Sequence, residues 1–238
     1  MKQLTIITFL LLSVKFTTAQ SIGALIKKTT SELTQNTKGV STNEIANGLK
    51  EALISGVTKG ASSLSKPDGF FANAALKILL PAEAKKIEST LRSIGMGKQV
   101  DEAILSMNRA AEDACKSATP IFTNAIKQMT VTDAIGILKG SDTAATSYLQ
   151  TKTTTELTNA FRPVIENSLQ KTNATGQWKT LVGAYNQISF KKINPDLAGF
   201  VTEKSMSGIY QQIALEEKEI RKNPAARTTD LLKKVFSN

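Results

Sequence analysis

Apolar positions along this chain recur every three or four residues and almost nowhere every two. Ile45, Leu49, Leu53 and Val57 repeat at a spacing of four, with Ala52 beside them, which predicts an amphipathic helix. Ser41-Thr42-Asn43-Glu44 just ahead has the form of a capping box, in which hydroxyl and carboxylate satisfy the first free N–H groups. Pro81 suits the first turn of a helix carrying Ile87, Leu91 and Ile94, with Gly95 or Gly97 ending it. A third helix carries Val100, Ile104, Met107, Ala111 and Ala114, and Pro120 opens a fourth with Phe122 and Ile126. Thr132 is the predicted cap of a short helix ending at Gly140, and Asp142 or Ser141 that of the next.

The Thr-rich stretch Thr151 to Thr158 comes nearest to a strand, because β-branched residues favour extended backbone. The spacing of Leu149, Thr153, Leu157 and Phe161 nevertheless reads as helix. Trp178 reads as a core residue of a helix with Leu181, Val182 and Tyr185. The last helices are expected from about Pro195 to Arg221 and from Pro224 to Phe236, with Pro224 stopping one and starting the other. The pattern therefore predicts an all-α fold: one bundle-like domain of at least six helices over residues 41–238, with no sheet.

Residues 1–40 read differently. Lys2 followed by the apolar run Leu4 to Val14 has the form of a secretory signal, and Thr17-Thr18-Ala19 supplies small residues for cleavage before Gln20. The run is too short to span a bilayer and Lys15 interrupts it, so residues 1–19 are expected to be a cleaved signal peptide rather than an anchor. Residues 20–40 read as a lead-in helix or linker with Ile22, Leu25, Ile26 and Leu33 on one face. The mature chain is then expected to carry no transmembrane segment and to reside in the periplasm, outside the cell or at the outer envelope.

Composition narrows the chemistry sharply. The 238 residues include no histidine and one cysteine. That excludes Ser-His-Asp and Cys-His catalysis, histidine-ligated metals, an internal disulfide and a Cys-x-x-Cys redox pair. Cleavage after Ala19 removes Lys2 and Lys15 and lowers the formal net charge from +10 to +8. The cations are dispersed and the few aromatics are not interleaved with them, which argues against nucleic acid. An envelope protein or an anionic lipid or glycan surface is the kind of partner that such a charge suits. No phosphate loop, calcium loop or Gly-x-Ser-x-Gly elbow is present, and neither a cofactor nor a metal is expected.

Longer strings add a resemblance. STNEIANGLKEALISGV, KPDGFFANAALKILLP, SMNRAAEDA, AIKQMTVTDAIGILKGSDTAATSYL and IALEEKEIRKNPAARTTDLLKKVF, taken in order, resemble the bacterial family called domain of unknown function 4197. The resemblance covers Ser41 to Phe236. It implies an exported or envelope-associated helical protein, and it implies neither an activity nor catalytic residues.

Four constellations remain as candidates from the residues themselves. With Ile209 at zero on a helical wheel, Glu216 falls at about −20° and Glu217 at about 80°, so both flank the apolar stripe of Met206, Ile213 and Ile220. They are either a ligand or acid/base site or a structural network, since Glu217 and Arg221 have the favourable i, i+4 order. Asp142, in Lys139-Gly140-Ser141-Asp142-Thr143, lies at a helix start that could hold an anion or simply be capped. Lys66-Pro67-Asp68-Gly69 is a turn, with Gly expected to take the positive φ, and Phe70 and Phe71 after it either line a pocket or pin the loop. Asn108 and Arg109 read as a hydrogen-bond network or a binding pair, and Cys115 as a small buried residue rather than a nucleophile.

These features leave three functions in competition: a non-enzymatic exported helical protein with a binding or structural role, a periplasmic carrier of an apolar or anionic ligand, and a carboxylate-based enzyme using Glu216, Glu217 and Asp142. The carrier would show a pocket lined by Phe, Ile and Met with a basic rim.

Overall fold

The periodicity becomes helix throughout. The structure, a computed structural model, describes residues 41–223 and, in isolation, Lys233. The lead-in segment 20–40 and the helix expected from Pro224 to Phe236 lie outside the described residues. Within them run α1 (Thr42–Leu64), a 3-10 turn (Ala82–Ala84), α2 (Lys85–Ser93), α3 (Gly97–Cys115), α4 (Ala118–Lys127), α5 (Val131–Leu138), α6 (Ala144–Lys171), α7 (Ala174–Ile188) and α8 (Leu197–Lys222). No strand occurs among the described residues.

The centre is built on α6, which packs against both α3 and α8, while α3 also touches α8. One stripe of α6 explains why: Leu149, Thr153, Leu157, Phe161, Ile165 and Leu169, each four residues after the last, are all 0% exposed. The threonines that could have favoured a strand lie in the helix with their hydroxyls satisfied by it. Thr151, Thr153, Thr154 and Thr158 each donate to the carbonyl four residues earlier, at 2.6–3.0 Å. Pro163 lies inside this helix but on its exposed face, where a carbonyl deprived of its partner can turn to water. The stripe of α1 is buried as expected, and the stripe of α3 likewise.

Several helix ends depart from expectation. Pro81 heads the 3-10 turn, which then leads into α2. Ile94 falls beyond the end of α2 and is 65% exposed, so it does not extend the stripe of Ile87 and Leu91. Gly95 has φ +87° and breaks the chain away, whereas Gly97 begins α3 instead of ending α2. The cap of α5 is Thr130, not Thr132. Asp133 stands three residues after Thr130 and completes a reciprocal box, while the residue three after Thr132 is the apolar Ile135. Neither Ser141 nor Asp142 caps α6. Thr143 occupies that position without a side-chain bond, because a distant carboxylate takes the free N–H groups.

Candidate functional site

The distant carboxylate is Glu217. Its side chain reaches from α8 to the start of α6, where Oε1 accepts from the N–H of Ala145 at 3.0 Å and Oε2 from that of Thr146 at 2.9 Å. The Thr146 hydroxyl donates to Oε2 at 2.8 Å, and Arg221 donates to Oε1 through Nε at 3.0 Å and Nη2 at 2.9 Å. The same guanidinium donates to the carbonyls of Ile137 at 2.8 Å and Leu138 at 3.3 Å, in the last turn of α5. One buried ion pair thus places its anion at the positive end of α6 and its cation at the negative end of α5, as the helix dipoles favour. Two of the four sequence constellations, the Glu217 pair and the helix start after Gly140, are one structure.

Glu216 faces elsewhere. Its Oε2 pairs with Lys59 of α1 at 2.7 Å and its Oε1 accepts from Gln212 at 3.1 Å. The hydrogen bond and charge of Glu216 raise the Lys59 pKa above its ordinary value. Asp142 pairs with Lys222 at 2.8 Å on the surface, and that hydrogen bond lowers the Asp142 pKa. The three carboxylates do not converge. Among the described residues no group of three metal-ligating side chains comes together.

The segment between α1 and the 3-10 turn has no regular structure of its own and is tied to α3 by side chains. Asn108 is fully buried; its Oδ1 accepts from the Ile78 N–H at 2.9 Å, and its Nδ2 donates to the carbonyls of Ile78 at 2.8 Å and Ile104 at 2.7 Å. Glu112, 3% exposed, accepts the N–H groups of Phe70 and Phe71 on Oε1 at 3.1 and 3.2 Å. Arg109 joins Glu112 Oε2 at 2.7 Å to Asp68 Oδ1 at 2.8 Å. The positive φ of the turn belongs to Asp68, at +70°, and not to Gly69. Gly69 is required for space instead, since a Cβ there would lie 2.5 Å from the Leu64 carbonyl oxygen. Phe70, 0% exposed, pins the loop onto the core. Glu112 was not singled out from the sequence, although it lies four residues after Asn108 and so on the same face of α3. Cys115 is buried, and burial pushes its thiol pKa up, which leaves it unreactive.

A cleft of about 540 Å³ opens where α2, α3 and α7 meet the head of α8. Its walls are Leu80, Leu91, Val100, Met107, Leu181 and Leu197, with Trp178, and no lining residue is charged. The expected wall of Phe, Ile and Met and the basic rim are replaced by Leu, Met and Trp and an uncharged edge. Trp178 is 5% exposed, and its indole N–H is buried without a partner. The Thr175 hydroxyl, one turn earlier on α7, is buried and unpartnered too. A second groove of about 590 Å³ mixes Lys77, Lys85 and Lys204 with Glu83 and Glu88.

Fold and geometry together define an all-α domain in which the buried carboxylates of Glu112 and Glu217 accept from backbone N–H groups of other segments. The chain belongs to the family described as Protein of unknown function (DUF4197), whose model matches residues 39–237. No curated protein and no solved structure matches it.

Proposed function

We propose that this protein is an exported, non-enzymatic helical protein of the bacterial envelope that holds an apolar ligand in the cleft between α2, α3 and α7. The cleft carries the reading: about 540 Å³ of uncharged, Leu-rich space lies in the usual size range of small-molecule sites. The secretory pattern of residues 1–19 supports export. The carboxylates that an enzyme would need are occupied, Glu217 by Arg221 and backbone N–H groups, Glu216 by Lys59, and Asp142 by Lys222.

The test is to express the full chain in a bacterium, sequence the N-terminus of the purified protein, and titrate it with the neutral fluorescent probe N-phenyl-1-naphthylamine. The expected result is an N-terminus at Gln20 and saturable binding that Ala103→Trp, which fills the cleft, abolishes. An intact N-terminus in the cytoplasm would defeat export, and the absence of saturable probe binding would defeat the ligand site.

A further inference from the structure

We infer that the apolar cleft and a polar groove beside it form one site, for a single-chain amphiphile whose headgroup carries both a phosphate and an ammonium. The inference rests on the cleft being a ligand site and goes on to name what enters it.

The groove, of about 470 Å³, runs along α3 next to the cleft and meets it at Ala103, Ala174 and Gln177, which line both. Two stripes of α3 make the two walls. Gln99, Val100, Ala103 and Met107 line the cleft, while Glu102, Ser106, Arg109 and Asp113 line the groove. At about 100° per residue the centres of these stripes lie about 100° apart, so the apolar and polar walls are adjacent sides of one helix. Two of the three shared residues are alanines, and a chain can cross there without displacing a bulky side chain. The third, Gln177, is an exposed amide.

The headgroup follows from the charges. The groove is lined by two cations, Arg109 and Lys171, and two anions, Glu102 and Asp113. Arg109 is held by Glu112 and Asp68, and Asp113 by Lys116 at 2.6 Å and the Ser168 hydroxyl at 3.1 Å. The other two are spare and exposed. The Lys171 ammonium has no hydrogen bond or ion pair among the described residues, and Glu102 meets Lys98 only at 3.8 Å. A purely anionic head would satisfy Lys171 and face both carboxylates, and a purely cationic head would do the reverse. A head with both signs brings a partner to each spare group. The alkyl chain goes to the uncharged cleft, where a charge would lose its hydration with no counter-charge to replace it.

Four ligands that share a dodecyl chain and differ only in the head test this: dodecyl phosphoethanolamine, dodecyl phosphate, dodecylamine and dodecanol. Each is titrated below its micelle-forming concentration at neutral pH, following displacement of N-phenyl-1-naphthylamine from the protein. The phosphoethanolamine is expected to displace the probe about tenfold better than dodecanol, as two partly exposed ion pairs together supply. Lys171→Glu, an exposed change at the last residue of α6, should erase most of that advantage and make dodecylamine bind better than dodecyl phosphate. Dodecanol should bind the variant as it binds the wild type, a reversal of sign that general destabilisation would not produce. A phosphoethanolamine no better than dodecanol overturns the shared site and leaves the apolar cleft standing. Either singly charged ligand binding more tightly than the phosphoethanolamine overturns the two-signed head. If the probe itself does not bind, the ligand-site reading falls and this one falls with it. Should the variant lose dodecanol as well, the ranking of the four ligands on the unaltered chain decides alone.

Discussion

Glu217 caps the helix that begins at Ala144, through a residue 71 positions before it: the N–H of Thr146 donates to Oε2 at 2.9 Å, and the Thr146 hydroxyl donates to the same oxygen at 2.8 Å. The bond is long-range in sequence and local in space. It joins the last described helix to the middle of the chain, and through Arg221 it also holds the end of α5. The loop around Gly140 is therefore held from outside as well as by its own turn bond from the Ala144 N–H to the Ser141 carbonyl.

Glu217→Ala should be the most damaging of the carboxylate substitutions. It leaves the Arg221 guanidinium, whose side chain is 12% exposed, without its anion, and it frees two helix N–H groups. Breaking one side of a buried pair costs about 3–5 kcal/mol. Arg221→Ala should cost nearly as much, and the double variant little more than either single one, since both remove the same contact. Thermal melts of the three variants test this. The melting temperature of the wild type is expected to be unmoved by divalent metal, and a metal-dependent rise that Glu216→Ala and Glu217→Ala both lose would reinstate a metal site.

The ties between α3 and the loop of residues 65–81 should rank by burial. Glu112→Ala strips the acceptor from two N–H groups in a site 3% exposed, and leaving buried donors unsatisfied costs about 1–3 kcal/mol each. Asp68→Ala removes a surface pair to Arg109, worth about 1 kcal/mol or less, and puts at φ +70° a residue that tolerates the left-handed region less well than aspartate. Urea unfolding should give the order Glu112→Ala, Arg109→Ala, Asp68→Ala from most to least destabilised. Tryptic cleavage after Lys77 in the native state should speed up in the same order, and equal rates would mean that the loop is held by Phe70 alone.

Much of this architecture is legible in the chain, and most of the rest depends on which segments come to stand opposite one another. A period of 3.6 tells which face of a helix is buried, as it does for Ile45, Leu49, Leu53 and Val57, but not which helix stands opposite. The wheel sets Glu217 beside its stripe, yet its partners at Ala145 and Thr146 belong to another helix. The α5 cap was missed by two positions although its signal was local: an acidic residue three after Thr130 and none three after Thr132. The turn misled in a different way. Glycine is the habitual owner of positive φ, but at Asp68-Gly69 the glycine answers to the Leu64 carbonyl, and the aspartate takes the strained angle under the hold of Arg109. The unpaired donor of Trp178 could not be read at all, because satisfaction of a hydrogen bond is a property of neighbours.

Stability should be nearly flat across neutral pH and fall only in acid. The chain has no histidine, so no side chain with an ordinary pKa between 5 and 8 is present. Several aspartates sit below their ordinary value of 3.8: Asp113 through its hydrogen bond to Lys116, Asp133 through the Thr130 hydroxyl, and Asp142 through Lys222. A carboxylate whose pKa is lowered by folding contributes stability that is complete above the unfolded pKa and is lost as pH falls through the folded one. The loss should therefore begin near pH 4 and deepen below it. Chemical denaturation between pH 2 and 8 checks the shape, and a midpoint of loss near pH 6 would contradict it. Thr130→Ala should lower stability at neutral pH and make the acid loss smaller, because it removes the largest cause holding the Asp133 pKa down and with it the stability that acid takes away.

Two glycine-to-alanine substitutions should move stability in opposite directions. Gly208 lies in α8, where a Cβ would come within 2.5 Å of Cε1 and 3.0 Å of Cζ of Phe70. Alanine is the better helix former by about 1 kcal/mol, yet Phe70 is 0% exposed and its ring has nowhere to go. Overpacking of this kind costs about 1–3 kcal/mol, so Gly208→Ala should lower the melting temperature and loosen the 65–81 loop that Phe70 pins. Gly136, inside α5, would meet nothing within 4 Å and has no positive φ. There the helix propensity acts alone, and Gly136→Ala should raise stability by about 0.5–1 kcal/mol. Adding Phe70→Leu to Gly208→Ala relieves the clash and should recover part of the loss, so that the pair costs less than the sum of the two single changes. If Gly208→Ala proves neutral or stabilising, the contact between α8 and Phe70 is looser than 2.5 Å implies, and Phe70 is not what holds the loop.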